Sequence, residues 1–286
     1  MSRSRLPEWL RDKDPLQREM MKTRRMLRGL ELNTVCQNAR CPNIGECYSR
    51  DTATFMILGS SCTRNCAFCA VTHRDPKGVD LTEPNRIAQA VIRLDLKHVV
   101  ITSVTRDDLP LGGARQFARV IEAVRSVQPE ATVEILTPDF QLEEEAIAVI
   151  LEAGPEVFNH NIETVPSLYP TVRPQADYQR SLDLLRAISS RSDDIIVKSG
   201  IMLGLGESRE ELREVWEDLL AAGCQILTMG QYLQPTHNNL EVEEYIHPDT
   251  FKSLKREAEE MGFARVVAGP HVRSSYLAEE SSGELI

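Results

Sequence analysis

The chain has 286 residues, 42% hydrophobic and 27% charged, enough for one large core. A formal net charge of −10, with no basic stripe interleaved with aromatics, argues against a nucleic-acid partner. No apolar run approaches the roughly 18 residues needed to span a bilayer, and the N-terminal stretch has no apolar signal core, so neither a membrane protein nor a secreted one is expected.

In chain order, the first 28 residues carry Arg3, Arg5, Arg11, Lys13, Arg18, Lys22, Arg24, Arg25 and Arg28 against Glu8, Asp12, Asp14 and Glu19. The segment is therefore +5 and the remainder −15. Its acids argue against an organellar transit peptide, a class poor in them. The asymmetry suggests a docking surface; the alternative is a solvated helix with ordinary charge pairs.

Cys36, Cys41 and Cys47 come next, then a strand-like run at 54–58, then Cys62, Cys66 and Cys69. Further strands are predicted at 98–102, 132–136, 157–161, 195–203 and 226–233. Helical spacing of apolar residues falls between or after them at 85–94, 114–127, 142–152, 178–189, 209–222 and 248–261. In the fifth helix Leu212, Val215, Trp216, Leu219 and Leu220 share one stripe, with Gly223 as a C-cap.

Strand–helix alternation implies a parallel sheet. Six units are too few for a closed eight-fold barrel, so the expected fold class is α/β, a partial (β/α)6 TIM-type barrel. An N-terminal extension at 1–50 would carry the first cysteines, a core would span 51–262, and a C-terminal segment at 263–286 would help close the mouth. Reactive groups should gather at the strand C-terminal ends. Cys62, Cys66 and Cys69 follow the first strand, Asn161 and Glu163 end the fourth, and Gly204 to Glu207 follow the fifth.

Each cysteine triplet is one thiolate short of a closed tetrahedral zinc or iron–sulfur site. Structural zinc usually takes C-x2-C pairs across a longer loop, and neither triplet has two such pairs. An iron left without a protein thiolate can instead bind an exogenous ligand. Cysteines spaced for metal rather than for disulfides point to a reducing compartment, with a cytoplasmic location as the default.

Cys62-Thr63-Arg64-Asn65-Cys66-Ala67-Phe68-Cys69 has the CxxxCx(aromatic)C pattern and resembles the radical S-adenosylmethionine superfamily. Cys36-x4-Cys41-x5-Cys47 resembles the auxiliary-cluster signature of lipoyl synthases. That resemblance covers nearly the whole chain, through Leu6-Pro7-Glu8-Trp9-Leu10, Thr102-Ser103-Val104-Thr105-Arg106-Asp107-Asp108-Leu109, Phe158-Asn159-His160-Asn161-Ile162-Glu163-Thr164 and Arg273-Ser274-Ser275-Tyr276.

The resemblance implies two [4Fe-4S] clusters and S-adenosylmethionine as cofactors. One cluster would sit on Cys62, Cys66 and Cys69 with S-adenosylmethionine on its fourth iron, and the other on Cys36, Cys41, Cys47 and Ser275. Ser275 would be both ligand and catalytic residue, because oxygen is a harder and more weakly held iron ligand than sulfur and leaves a corner that opens readily; the alternative is that Ser274 and Ser275 only cap or tie down a C-terminal turn. The implied reaction inserts two sulfur atoms, at C6 and C8 of a protein-bound octanoyl-lysine, from the auxiliary cluster. Implied partners are octanoylated lipoyl-carrier domains or proteins, an electron donor such as ferredoxin or flavodoxin, and iron–sulfur cluster assembly or carrier proteins. A basic N-terminal arm would suit acidic carriers.

Gly204 and Gly206, just past a strand, are candidates for a wall against the cofactor, although Gly-x-Gly also serves ordinary strand-to-helix turns. Phe68 is a candidate to pack beside the adenine. Asn161, Glu163 and Lys198 are candidates for polar contacts to S-adenosylmethionine; an internal polar network is the alternative. Arg106 and Arg273 suit either the acyl substrate or ion pairing. Cys224 reads as a buried small hydrophobe. Against the enzyme stands a non-catalytic zinc module that uses the same cysteines as staples.

Overall fold

Seven parallel strands in sequential order form one open sheet in the computed structural model, which describes residues 6–11, 17–276, 278–283 and 285. Arg3, Arg5 and Lys13, with Asp12 and Asp14, lie outside the described residues. Before the sheet come helices α1 (Gln17–Gly29), α2 (Val35–Asn38) and α3 (Ile44–Ser49). The barrel units are β1 (Thr54–Ile57), α4 (Glu83–Leu94), β2 (His98–Ser103), α5 (Ala114–Val127), β3 (Thr132–Leu136), α6 (Glu144–Ala153) and β4 (Val157–Asn159). Next are α7 (Tyr169–Val172), α8 (Tyr178–Ser189), β5 (Ile196–Leu203), α9 (Arg209–Ala221), β6 (Ile226–Gln231), α10 (Pro248–Met261), β7 (Arg265–Gly269) and α11 (Ala278–Ser282).

Strand alternation sorts two faces. Phe55, Ile57, Val99, Ile101, Val133, Ile135, Phe158 and Val197 are fully buried in the main core with Phe117, Val120 and Trp216 of the helices. The other parity, Thr54, Met56, Val100, Thr102, Leu136, Gly200, Met202, Thr228 and Gly230, lines the cavity that the curved sheet encloses. The α9 helix starts at a capping box, in which the Ser208 hydroxyl meets the Glu211 N–H and the Glu211 carboxylate accepts from the Ser208 N–H. No helix among the described residues is long and apolar enough to cross a membrane.

The sheet has one strand more than the six expected. β7 pairs with β6 from Ile226↔Arg265 to Gly230↔Gly269 and falls beyond residue 262, within the stretch expected to form the closing segment. The run is no shorter than β3, but only Val266 in it is buried where β3 buries three residues in a row, so it lacks the buried apolar stretch that marks the other strands. It becomes a strand because Gly262, at φ +123°, turns the chain straight back from α10 and Val266 is fully buried.

The N-terminal extension is tied to the barrel rather than appended to it. Thr23 Oγ1 donates to the Tyr48 carbonyl at 2.8 Å, and the Tyr48 hydroxyl meets Thr34 Oγ1 at 2.7 Å in a buried contact. Thr34 then bridges to Phe55, and the Met56 N–H donates to the Asn33 carbonyl at 2.9 Å, which fixes α2 beside β1.

Candidate functional site

The first three cysteines sit on two short helices and the loop between them. Thr34 caps α2 by accepting from the Gln37 N–H, which puts Cys36 in the first turn. The Cys41 N–H donates to the Cys36 carbonyl at 3.0 Å, and the Cys47 N–H to the Asn43 carbonyl at 3.0 Å. The Cys36 thiol also meets the Thr54 backbone and hydroxyl at the start of β1. Burial pushes Cys36 up to about 11; burial and then the charges of Cys36 and Cys41 push Cys47 up to about 12.

The second triplet occupies the loop after β1, entered through Leu58 and Gly59 at φ +66° and +91°. The Cys62 N–H donates to the Thr72 carbonyl at 2.9 Å, closing the loop base. N–H groups of Arg64 and Val71 point at the sulfurs of Cys62 and Cys69, each at 3.4 Å. Between the cysteines, Arg64 is 5% exposed and forks onto two carboxylates: Asp107 at 2.7 and 2.8 Å and Asp139 at 2.8 and 2.6 Å. On the far side, Asn239 Nδ2 donates to the carbonyls of Ala67 and Cys69. Burial pushes Cys69 up to about 12.

Both triplets open onto one cavity of about 1550 Å³. A strap at 271–276 crosses it. Asn43 Nδ2 donates to the His271 carbonyl at 2.6 Å, and the Tyr276 hydroxyl to the Glu46 carboxylate at 3.2 Å. Between these anchors, Ser274 Oγ donates to Asn161 Oδ1 at 2.9 Å, and Ser275 Oγ accepts from Thr54 Oγ1 at 2.9 Å. Gly230 admits the strap: a Cβ there would run into the Val272 carbonyl.

The candidate cofactor contacts divide. Phe68, Asn161 and Glu163 line the cavity, and Phe68 packs against the small cluster of Val172, Leu205 and Tyr232. Asn161 Nδ2 donates to Glu163 Oε1 at 3.0 Å. Burial raises the Glu163 carboxyl above the ordinary range, and the Arg173 guanidinium and this bond only partly offset it. Lys198, Gly204 and Gly206 are not among the cavity-lining residues. Lys198 is fully buried, with its Nζ 2.8 and 3.1 Å from the Glu134 carboxylate, so it belongs to an internal ion pair. Gly204 and Gly206, at φ +95° and +107°, form a turn whose Gly204 and Leu205 N–H groups donate to the Glu207 carboxylate. Arg106 is likewise bound into the fold, by Asp108 and the Leu58 carbonyl; Arg273 does line the cavity.

Several cavity residues escape a reading of the sequence. Arg173 is buried and donates through Nη1 to the carbonyls of Asn161 and Ile162, each at 3.1 Å. His160, also buried, has Nδ1 2.8 Å from the Thr137 carbonyl, and burial followed by the Arg173 charge pushes its imidazole down to about 4, so it is neutral at pH 7. Gly200 lets Thr228, Asn161 and Ser274 meet over its bare Cα. Arg64 had a visible signal in its place between two cysteines, and His160 in its place beside Asn161 in the Phe158 to Thr164 motif; Arg173 had none.

The donor set fits iron–sulfur clusters. All six thiols are free, and burial makes lone thiolates costly until cationic iron compensates them. Among the described residues no group of three or more His, Cys, Asp or Glu side chains could hold a single metal ion. A cubane asks for a different arrangement, one thiolate to each separate iron corner.

The fold and this cysteine loop define a radical S-adenosylmethionine enzyme: the Radical SAM superfamily model matches residues 56–219. Solved structures agree at the level of fold. HydG, a maturase of the [FeFe]-hydrogenase, aligns over 91% of this chain and 67% of its own at TM-score 0.60 and 14% identity. Streptococcus suis SuiB bound to S-adenosylmethionine aligns over 86% and 57% at TM-score 0.56 and 14% identity.

Within that class, the chain belongs to the lipoyl synthase family. The model for the N-terminal domain of lipoyl synthase matches residues 1–41. The lipoyl synthase of Caldicellulosiruptor saccharolyticus is 50% identical over 282 residues, 99% of each chain. That of Caldanaerobacter subterraneus subsp. tengcongensis is 52% identical over 275 residues, 96% of each. A zinc-stapled interaction module is thereby set aside.

Proposed function

We propose that this lipoyl synthase holds one [4Fe-4S] cluster on Cys62, Cys66 and Cys69 and a second on Cys36, Cys41, Cys47 and Ser275. When bound, the first would supply the electron that cleaves S-adenosylmethionine into a hydrogen-abstracting radical, and the second the sulfur placed at C6 and C8 of a protein-bound octanoyl chain. The observation that carries this reading is the convergence of all six thiols, Ser275, Asn161 and Glu163 on one cavity.

The chain's own residues would do the positioning. Arg64, locked by Asp107 and Asp139, holds the loop between Cys62 and Cys66 in one shape. Asn161 and Glu163 would offer an amide and a carboxylate to polar groups of S-adenosylmethionine, with Phe68 beside the adenine. Arg173 and Arg273 place positive charge near the Glu163 carboxylate. The strap and the N-terminal extension cover the strand ends and keep water from the reacting carbons. Octanoylated carrier domains, a low-potential reductant and cluster-assembly proteins are the partners this chemistry needs, in a reducing compartment such as the cytosol.

Anaerobic reconstitution with iron and sulfide tests the reading. About eight irons per chain are expected. Turnover with S-adenosylmethionine, a reductant and an octanoylated carrier peptide should add two sulfurs to the peptide as the dithiol, which loses two hydrogens once it is oxidised to the disulfide. Two zinc ions and an unaltered peptide would sink it.

A further inference from the structure

We propose that Ser274 is a positioning residue that couples the S-adenosylmethionine site to the opposite, auxiliary side of the cavity; this rests on the assignment of the two sites made above. Two adjacent hydroxyls on the strap diverge. Ser275 Oγ meets Thr54 Oγ1, whose residue also contacts the Cys36 thiol. Ser274 Oγ turns the other way and donates to Asn161 Oδ1.

The Glu163 carboxylate only accepts, so it turns Nδ2 of the Asn161 amide toward itself, and the Oδ1 that then faces the strap takes its hydrogen bond from Ser274. The flipped amide would turn a carbonyl oxygen toward the Glu163 carboxylate, an unfavourable contact in a buried place. Asn161 is 9% exposed, so water does little to replace a missing partner. Ser274 thus acts on Glu163 through Asn161.

Geometry ties this chain of bonds to the strap's position. Thr228, Asn161 and Ser274 converge on Gly200, where a Cβ would stand 2.8 Å from Asn161 Oδ1 and 2.9 Å from Ser274 Oγ. Both strap anchors, Asn43 at His271 and Glu46 at Tyr276, belong to the segment that carries Cys41 and Cys47. Arg273, beside Ser274, has a guanidinium within electrostatic reach of both Cys41 and Glu163. A docked strap therefore favours the Asn161–Glu163 arrangement. Linkage requires the reverse as well: a ligand that engages this arrangement favours the docked strap.

The test compares S-adenosylmethionine binding to the anaerobically reconstituted parent and to Ser274→Ala by equilibrium dialysis, with iron counts and hydrogen exchange over 272–276. Ser274→Ala should keep the parent's iron, weaken binding by about threefold to tenfold, the worth of one hydrogen bond, and lose the slowing of strap exchange by S-adenosylmethionine. Ser274→Thr, which keeps the hydroxyl, should restore most of the affinity. Parent-like binding by Ser274→Ala would overturn the proposal. So would loss of iron in step with affinity, or a threonine variant as weak as alanine. If the parent itself does not bind S-adenosylmethionine, the site assignment fails, and this inference with it.

Discussion

Thr54 Oγ1 and Ser275 Oγ lie 2.9 Å apart, although 221 residues separate them in the chain. Because Thr54 also contacts the Cys36 thiol, β1 is the common support of the N-terminal cysteines and the C-terminal strap. Thr54→Val removes the hydroxyl from both contacts. The variant should lose iron from the auxiliary site to a chelator about tenfold more readily, as loss of a supporting hydrogen bond commonly does. Cleavage of S-adenosylmethionine to 5′-deoxyadenosine, read by chromatography, should stay near the parent level.

Lys198 and Glu134 form a fully buried ion pair, with His98 Nε2 3.3 Å and Asn159 Nδ2 3.2 Å from the same carboxylate. Lys198→Ala strands Glu134 without its main counter-charge, and should destabilise the fold by about 3–5 kcal/mol. Chemical denaturation checks the figure. A variant of parental stability with weakened S-adenosylmethionine binding would return Lys198 to the list of cofactor contacts.

Gly230→Ala should dislodge the strap, since the added methyl meets the Val272 carbonyl, a backbone group that cannot step aside. Faster hydrogen exchange over 272–276 and a lower auxiliary iron content are the expected signs. Gly59→Ala is the contrasting control, because a Cβ there meets nothing within 4 Å and its effect should be confined to backbone strain at φ +91°.

Asp139 gives a pH dependence. Burial raises its carboxyl, but the hydrogen bonds and charge of Arg64 outweigh burial and hold it well below the ordinary 3.8. A depressed folded-state value means that the contribution is complete above the unfolded value, near 4, and is lost as pH falls through the folded one. Asp139→Asn should therefore cost about 3 kcal/mol at pH 7, the price of breaking a buried pair, with the gap to the parent narrowing below pH 4. Denaturation of both proteins from pH 7 to pH 2 measures it; a gap that widens toward acid would contradict the sign.

Much of the architecture was legible in the sequence, because βα alternation leaves a period-2 and a period-3.6 signal in turn. Helices α5, α8 and α10 lie where the apolar spacing put them, while α9 ends one residue early. β7 was not legible: it is as long as β3, but with only Val266 buried it has no buried apolar run, and it is held by pairing with β6 and a glycine turn. The site was legible in its chemistry and less so in its packing. Cysteine spacing marks metal loops, yet nothing near Lys198 announces Glu134, 64 residues earlier. Gly204 and Gly206 looked like a wall for a ligand because a turn and a binding loop make the same demand for positive φ. Arg173 left no signal, since its partners are backbone carbonyls, which every residue has.

The most direct measurement uses Cys36→Ala, reconstituted anaerobically and turned over with S-adenosylmethionine and an octanoylated carrier peptide. Two sites with separate tasks predict that it still releases 5′-deoxyadenosine while the peptide gains no sulfur. Lipoyl product from this variant would contradict the assignment of Cys36, Cys41, Cys47 and Ser275 to the sulfur-supplying site.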